Sequence, residues 1–529
     1  MGYEAIVVGG GVAGLTAAAY LARAGHSVLL LEKGDQVGGL VRTFRRNGIV
    51  YDGGIRAIED SGIVRPMLRQ LGLDVEFLPS PVALGVEDQI LHVQDESCLV
   101  AYERMLSGLF PEEAQAIARI LAGVRRVMDL MDVLYGIENP AMHDLAQDRA
   151  YLRDVLVPWL PRFLLGMARM SEFRVPVEDW LRRYTRNQGL IDVIAQHFMR
   201  GTPAFFALSY FSLYLDYAYP RGGTAQLVEA LAGSITDRGG EIALDAEVVT
   251  VDPERRTVRT AAGDRHRYGA LVWAADLNAL YDAIDIDALT SPRQRRAVMR
   301  RRDELRATAG GDSVLSLFLG TRLEPDYFAQ RASAHFFYTA SRTGQSAAGP
   351  WPLGQPRAAI EGWLDAFLPL TTYEISCPAL RDPALAPPGQ TGLIISVLFD
   401  HDLVSEIEAQ GWYEAFKECV AEGIVAVLDG SVFPGLAERV IDSTVSTPLT
   451  LERLTGNTGG AITGWAFTGA KMPAESRMMQ VSRSVRTPLP GIWQAGQWTY
   501  SPSGLPIAIL TGKLAADAAG KRLHKKSRS

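Results

Sequence analysis

The sequence predicts an α/β protein whose two ends fold together and whose middle carries a helical insert. Strand and helix patterns alternate near both ends of the chain, and glycine clusters recur where the predicted strands end. Between them, residues 111–219 carry apolar side chains at three- and four-residue spacing, most clearly over residues 112–134, which is the period of a helix. At 529 residues with 47% hydrophobic content, the chain is long enough to bury more than one core.

A glycine turn separates the first predicted strand from the first predicted helix. Residues 3–8 form an apolar run typical of a buried strand, residues 9–14 read GGGVAG, and residues 15–24 have helical character. Gly9 permits a tight turn, Gly11 lets a pyrophosphate approach the backbone, and Gly14 lets the helix pack on the strand. The helix start offers free N–H groups and a partial positive charge to phosphates. We therefore expect a dinucleotide to be bound by Gly9, Gly11, Val12, Ala13 and Gly14.

A carboxylate ends the second predicted strand. Glu32 follows the apolar run of residues 28–31. It comes about 20 residues after the glycine turn, where an acid accepts a hydrogen bond from a ribose hydroxyl and disfavours a 2′-phosphate. Glycines at this spacing also occur in purely structural turns. The strand before them, the helix after them and Glu32 together favour the nucleotide site.

Two further stretches resemble a flavoprotein family. Residues 33–43, KGDQVGGLVRT, and residues 47–54, NGIVYDGG, resemble the extended motif of the flavin family that includes amine oxidases and carotenoid desaturases. In that family the glycine pair and the arginine run along the FAD pyrophosphate toward the isoalloxazine. The resemblance therefore implies FAD as the cofactor, with contacts from Lys33, Gly39, Leu40, Arg42 and Gly54.

The carboxyl end carries a second part of the expected site. Residues 487–498 read as a strand that reaches Gly496, and a helix follows with Pro506 in its first turn. This stretch resembles the carboxyl-terminal FAD signature of the phytoene desaturase and retinol saturase group, which implies that the helix start faces the flavin N1 and O2 edge. That group usually has aspartate where this chain has Gln497, and an amide still donates and accepts hydrogen bonds. The implied FAD contacts are Gly496, Gln497, Gly504, Leu505 and Pro506.

A middle stretch adds one implied backbone contact. Val248 lies at the position where, in the same family, a hairpin contacts adenine, and an ordinary hairpin valine is the alternative interpretation. Neither histidine nor cysteine occurs in the carboxyl-terminal motif. We therefore expect the FAD to be bound non-covalently.

The patterns and the resemblance divide the chain into three parts. Residues 1–85, 220–300 and 481–523 form the FAD-binding domain, which is Rossmann-like and discontinuous in sequence. Residues 86–110 and 301–480 form a substrate domain with a mixed sheet, and residues 111–219 form the helical insert. In the substrate domain, strands are predicted at residues 314–319, 334–338, 359–363, 393–399 and 440–445, with a helix at residues 411–428.

Composition argues against several classes of partner and location. The formal net charge of -7 disfavours nucleic acid as a partner. The three cysteines are far apart and no histidines lie at metal-ligand spacing, so we expect neither disulfides nor a metal site. The chain begins directly in a predicted strand, without room for a signal peptide. It has no apolar run of roughly 20 residues that would span a bilayer. We therefore expect a cytoplasmic protein.

Two apolar segments of the insert leave a membrane contact open. Residues 151–170 and 201–215 combine apolar helical patterns with aromatic and basic flanks. Such helices can lie in a bilayer surface and admit a lipid. The alternative is that they pack against the substrate domain.

The sequence also limits the chemistry. The sequence contains one nucleotide fingerprint and no CxxxxC redox pair. We therefore expect electrons to pass between the substrate and the flavin, and then to dioxygen, a quinone or a free nicotinamide. Arg56 and Tyr500 are candidates for shaping the substrate end, although Arg56 would serve equally as a salt-bridge partner. The resemblance implies hydride transfer between flavin N5 and a C–C or C=C bond of an apolar polyene or isoprenoid-like substrate, by a desaturase, saturase or isomerase. The alternatives are a flavin amine oxidase and a flavin-free prenyl-binding escort protein.

Overall fold

Two mixed sheets organise the chain, which a computed structural model describes at residues 2–468 and 472–527. In chain order the strands β1 to β18 are Gly2–Val8, Val28–Leu31, Thr43–Arg46, Ile49–Asp52, Phe77–Pro79, Val82–Val86, Gln89–Val93, Ala218–Pro220, Glu241–Ala243, Val248–Asp252, Thr257–Thr260, Arg265–Trp273, Ser313–Thr321, His335–Thr339, Thr372–Ser376, Thr391–Phe399, Val440–Ser446 and Ile492–Gln494. The α-helices α1 to α20 are Val12–Arg23, Val64–Leu71, Cys98–Leu109, Ala114–Tyr135, Arg149–Tyr151, Val157–Arg169, Val177–Leu181, Gln188–Ala195, Ala204–Leu208, Tyr210–Asp216, Ala225–Thr236, Leu277–Ala283, Pro292–Arg306, Pro325–Ala329, Arg357–Phe367, His401–Ala409, Tyr413–Asp429, Pro448–Thr455, Val481–Ser484 and Leu505–Ser527.

The first sheet is built from both ends of the chain. Its strand order is β10-β11-β12-β1-β2-β9, and β18 pairs with the second half of β12. Strands β1, β2, β9, β12 and β18 run parallel, whereas β10 and β11 form an antiparallel hairpin on the first half of β12. β1 from Ala5 onward and all of β2 are buried, as expected for parallel strands covered on both faces. The predicted α/β fold class with a Rossmann-like sheet is confirmed.

The second sheet, with the order β17-β13-β16-β15-β14-β6-β7, presents two different faces. Leu317 and Ile395 lie on the face that shares a hydrophobic core with α15 and α17. Phe318 and Ile394 lie on the opposite face, where they pack against Tyr51 of β4. We call this opposite face the inner face, because it is turned toward the first sheet and the insert.

The insert packs against one end of the inner face. Val124 of α4 and Phe211 of α10 share a hydrophobic core with Leu84 of β6 and Phe337 of β14. Helix α6 continues from α5 through a π-helical turn and packs on α4, where the indole N–H of Trp159 donates a hydrogen bond to a carbonyl of that helix. The helices predicted for the insert therefore cover part of the second sheet.

Two details of the sequence analysis are wrong. Residues 359–363, expected to form a strand, lie inside α15, because Ile360, Leu364 and Phe367 are buried at helical spacing after Pro356. The expected boundaries at residues 85 and 300 fall inside β6 and α13. The whole of β6 pairs with β14, so it belongs to the second sheet. Strand β15, which the sequence analysis missed, lies at the centre of that sheet.

Helices α1 and α20 bring the two ends of the chain into contact. A Cβ atom at Gly512 of α20 would lie 2.3 Å from the carbonyl oxygen of Ala13 in α1, which no side chain tolerates. Gly496, directly after β18, also approaches Ala13, with 3.5 Å between its Cβ position and the Ala13 Cβ. The close approach of the two helices therefore requires glycine at position 512.

We expect Gly512→Ala to destabilise the protein, even though alanine favours a helix over glycine by about 1 kcal/mol. The added methyl group must push α20 away from the backbone of α1, and overpacking of this kind costs about 1–3 kcal/mol. Urea unfolding followed by circular dichroism measures the change. Gly520→Ala in the same helix is the control, because the nearest atom to its Cβ position is His26 Nε2 at 3.7 Å. Equal stability of the two variants would contradict the packing argument.

Candidate functional site

Glycine occurs at the three positions of the first turn for different structural reasons. Gly9 has a φ of +101°, and a Cβ there would lie 2.8 Å from the carbonyl oxygen of Ala274. A Cβ at Gly14 would lie 1.9 Å from the carbonyl oxygen of Gly9. The Cβ position of Gly11 has no atom within 4 Å. Packing within the chain therefore requires Gly9 and Gly14, whereas Gly11 keeps the backbone open to a ligand at the start of α1, as a pyrophosphate needs.

Glu32 is held in place at the carboxyl end of β2. Its Oε2 accepts a hydrogen bond of 2.6 Å from Gly10 N–H, and its Oε1 accepts one of 2.8 Å from Gly34 N–H. Each carboxylate oxygen can accept a further bond, so Glu32 can bind ribose hydroxyls without losing these contacts. Its carbonyl accepts a hydrogen bond from Ala246 N–H. Val248, two residues further on, therefore starts β10 beside the same end of the nucleotide site.

The second motif lies against the glycine turn. Gly38 N–H donates to the carbonyl of Gly10 at 2.8 Å, and the Cβ position of Gly39 is 3.4 Å from Gly11 Cα. A Cβ at Gly54 would lie 1.9 Å from the carbonyl oxygen of Leu40. Gly39, Leu40 and Gly54 are therefore brought together at the start of α1.

Two basic residues of the motif contact protein groups. Arg42 donates from Nε and Nη2 to the side-chain oxygen of Gln36, at 2.7 and 2.8 Å. Lys33 Nζ donates to the carbonyl of Arg453 at 3.3 Å. Their implied contacts with FAD stay predictions.

The carboxyl-terminal motif reaches the same place from the other end of the chain. Gly496 has a φ of +95°, and its N–H donates to Thr511 Oγ1 at 3.0 Å. Gln497 Nε2 donates to the carbonyl of Ala461 at 3.2 Å. A carboxylate at this position could not donate that bond, which gives a structural reason for glutamine here. Gly504 immediately precedes α20, and Leu505 and Pro506 are its first two residues.

Arg56, in the segment after β4, reaches the second sheet. Its guanidinium donates to the carbonyl oxygens of Asp52 and Gly54 and to the hydroxyls of Ser316 and Ser396 on the inner face. Burial lowers the pKa of Arg56, although nearby acidic groups oppose this effect. Its hydrogen-bond partners are neutral oxygens, so Arg56 joins the segment after β4 to the second sheet and brings a buried positive charge to the inner face.

Tyr500 is buried at the carboxyl-terminal side of the site. Its hydroxyl donates to the carbonyl of Ser476 at 3.3 Å. Burial raises its pKa, and the charges of Glu475 and Tyr135 add to this. The structure thus gathers the expected FAD contacts from three stretches of the chain, and the catalytic roles of Arg56 and Tyr500 stay predictions.

Two titratable residues were missed by the sequence analysis. Glu59 follows the Gly53-Gly54 pair, and burial, with the charge of Asp216, raises its pKa to about 7. Glu374 lies on the inner face, with its Oε1 at 3.0 Å from Nε2 of His335. The position of Glu59 shortly after a glycine pair was a usable signal. The sequence offered no such signal for Glu374, because the strand that carries it was not recognised.

An apolar cavity lies between the insert and the inner face. Its volume is about 40 Å³, enough for only a few waters, so a larger ligand enters it only when side chains move aside. Burial lowers the pKa of His197 in its wall to about 4, so this imidazole is neutral at pH 7. The wall consists mainly of aliphatic and aromatic side chains, including Leu84, Tyr102, Tyr210, Phe211, Tyr214 and Phe337.

Comparisons with known proteins agree with this architecture. The family described as Flavin containing amine oxidoreductase matches residues 12–519. Prolycopene isomerase of Daucus carota is 23% identical over 499 residues, which cover 87% of this chain and 71% of that protein. All-trans-retinol 13,14-reductase of Homo sapiens is 24% identical over 551 residues, which cover 98% and 86%. A solved structure of putrescine oxidase superposes with a TM-score of 0.60 at 16% identity, covering 98% of this chain and 99% of that one.

Among residues 2–468 and 472–527, no helix combines the length and apolar character needed to cross a bilayer.

We expect Glu32→Gln to weaken FAD binding by about 10- to 100-fold, because a charge-assisted hydrogen bond to ribose contributes about 1.5–3 kcal/mol. Flavin absorbance per protein after gel filtration, and titration of the apoprotein with FAD, measure the loss. Glu229→Gln is the control, since Glu229 is an exposed carboxylate on helix α11. Unchanged flavin content in Glu32→Gln would contradict the assignment of Glu32 to the ribose.

Proposed function

Because the chain belongs to the flavin containing amine oxidoreductase family, we propose that it is an FAD-dependent oxidoreductase acting on a C–C or C=C bond of an apolar polyene or isoprenoid-like substrate. The observation that carries this proposal is the aliphatic and aromatic cavity between the insert and the inner face. Of the relatives, one is named a prolycopene isomerase and another an all-trans-retinol 13,14-reductase. Both names support a polyene as the substrate.

FAD is the cofactor of this chain, and the site residues fit it. The start of α1 would hold the pyrophosphate, Glu32 would hold the ribose, and the start of α20 would offer its N–H groups to the flavin ring. When bound, FAD exchanges hydride with the substrate through N5. The residues of the chain position the substrate, exclude water and supply the charges around it. This complete nucleotide site argues against a flavin-free escort protein.

The direction of the reaction belongs to the same proposal. A desaturase passes electrons from the substrate to the flavin and on to dioxygen, a quinone or a nicotinamide, whereas a saturase takes them in the opposite direction. An isomerase leaves no net change in the electrons of substrate or flavin. An amine oxidase is the alternative within the same fold. Trp498, a candidate for the aromatic cage of such an enzyme, is instead buried against Trp465 with its indole N–H directed at Asn457.

Anaerobic mixing of the protein with polyenes and, separately, with primary amines tests this function. We expect polyenes to be isomerised, or to change the redox state of the flavin, because the apolar cavity favours them over cations. Flavin absorbance and chromatography of the recovered substrate follow the two outcomes. Dioxygen, a quinone or a nicotinamide is added afterwards to identify the electron acceptor or donor. Flavin reduction by amines and no conversion of any polyene would overturn the proposal in favour of an amine oxidase.

We further propose that α6 rests on the cytoplasmic face of a membrane and admits the substrate there. Val157, Leu160, Leu164 and Leu165 are 58%, 40%, 56% and 56% exposed on this helix. Trp159 and Phe163 lie on its other side, toward α4. Residues 149–169 contain four arginines and one aspartate, so the exposed apolar face is accompanied by positive charge. An apolar helix face with basic flanks fits an anionic bilayer surface.

Leu164→Asp should lower vesicle binding by about 10- to 100-fold, because burying a leucine side chain contributes about 1.5–3 kcal/mol. Flotation with phosphatidylcholine vesicles, with and without phosphatidylglycerol, measures the binding. Leu454→Asp is the matched control, since Leu454 is 48% exposed on α18. If the two variants bind like the unmodified protein, or if the unmodified protein floats with neither vesicle, α6 does not contact the membrane.

A further inference from the structure

Glu59 lies where the first sheet, the insert and α20 meet. The segment that carries it is fixed by paired backbone hydrogen bonds between Ile58 and Ala218, of 2.8 and 2.9 Å. Its Oε1 is 3.9 Å from the Cβ position of Gly504, the residue directly before α20. Because α20 begins at the end of the site expected to hold the flavin ring, the Glu59 carboxyl group is directed at the reacting end of the cofactor.

Three tyrosines of the insert lie within the electrostatic reach of Glu59. Tyr135 ends α4, Tyr210 begins α10 and Tyr217 follows α10. The charge of Glu59 contributes to raising the pKa of all three, after burial as the main cause. In the described parts of the chain, no other side chain forms an ion pair or hydrogen bond with the Glu59 carboxyl group, which accepts a hydrogen bond from its own backbone N–H, and the charge of Asp216 contributes to raising its pKa. Glu59 therefore lies in aromatic surroundings without a partner to fix its proton.

Glu374 lies across the same tyrosines on the inner face. It is opposite Phe337 on β14 and Ser396 on β16 in the sheet register, and its side chain keeps 35% exposure. Tyr210 and Tyr217 respond to the charge of Glu374 as well as to that of Glu59. Both tyrosines therefore lie within the electrostatic reach of the two carboxyl groups.

The surroundings of Glu374 differ from those of Glu59. Burial raises the pKa of Glu374, but His335, Arg56 and His197 outweigh this effect and the net change is downward. Glu374 is thus ionised at pH 7, whereas Glu59, with a pKa of about 7, takes up and releases a proton there. Two carboxyl groups whose surroundings separate their pKa values are typical of acid–base chemistry.

We propose that Glu59 exchanges the proton of the reaction with the polyene, while Glu374 stabilises the positive charge that develops on the chain. The O–H bond of Glu59 breaks, and the π electron pair of a C=C bond forms a new C–H bond with that proton. This leaves a carboxylate and a delocalised carbocation. After rotation about the former double bond, the other C–H bond of the protonated carbon breaks and its electron pair re-forms the C=C bond. The proton goes to the Glu59 carboxylate, and the added hydrogen stays on the isomerised polyene without net oxidation or reduction. A saturase needs the same proton beside its hydride.

This inference rests on the proposed function, and Glu59→Gln tests it. We expect the conversion of a polyene to fall by about 10²- to 10⁴-fold, the usual contribution of a positioned acid or base. Glu59→Asp should restore part of the rate. Glu374→Gln should lower the rate but keep the pH dependence of Glu59. Glu418→Gln is the control, because Glu418 is an exposed carboxylate on α17. Flavin content confirms that each variant is folded and loaded.

Two readouts separate proton transfer from a structural role. In D₂O, the unmodified protein should incorporate deuterium into the recovered polyene, as measured by mass spectrometry, and Glu59→Gln should not. In the resting protein, the infrared band of a protonated carboxyl group should disappear as the pH rises through about 7, and Glu59→Gln should lack it. The rate of protonation should fall over the same range, because Glu59 donates only in its protonated form.

The outcomes distinguish this inference from the proposed function. If the unmodified protein converts no polyene, the proposed function fails and this inference fails with it. If it converts polyenes but Glu59→Gln keeps the rate, the deuterium incorporation and the pH dependence, only the role of Glu59 is overturned. Absence of the carboxyl band from the unmodified protein overturns that role whatever the substrate.

Discussion

The contact between α1 and α20 is the constraint on which the rest of the structure depends. Ala13 touches the glycine after β18 and faces Gly512 across a gap too small for any side chain. Because both helices start beside the glycine turn, this single contact places two helix amino termini at one nucleotide site. Nearly 500 residues separate the two motifs in sequence. The insert and the second sheet are therefore long insertions into one domain. The contact between the two ends of that domain holds both of them in place.

Buried polar contacts join β4 and the segment after it to β8, to α11 and to the second sheet. Asp52 at the end of β4 accepts hydrogen bonds from the Tyr219 hydroxyl and from the N–H and hydroxyl of Thr224, which joins β4 to β8 and to the start of α11. Arg56, four residues later, reaches Ser316 and Ser396 on the inner face. A buried polar group is costly unless it is hydrogen-bonded. These contacts therefore fix how the second sheet faces the cofactor site.

The nucleotide site could be predicted from sequence because its rules are local. Gly9, Gly14 and Glu32 act within one strand–turn–helix–strand unit, and the structure gives each a steric or hydrogen-bonding reason. The second sheet was harder, since residues 359–363 have the composition of a short strand but the burial period of a helix. Glu374 could not have been found, because its partners come from other strands and from the first sheet. Its chemistry arises from tertiary contacts that no sequence window contains.

The apolar cavity and the unequal carboxyl groups have one physical cause. The insert covers the inner face with aromatic side chains, which exclude water from the substrate and from Glu59 alike. Removing water disfavours a charged carboxylate, so Glu59, without a cationic partner, becomes a group that can hold a proton at pH 7. Glu374 is covered by the same insert but lies near His335 and Arg56, so it keeps its charge. A pocket dry enough for a polyene is thus also one in which a carboxylic acid can protonate it, and His335 together with Arg56 keeps Glu374 ionised, which leaves Glu59 as that acid.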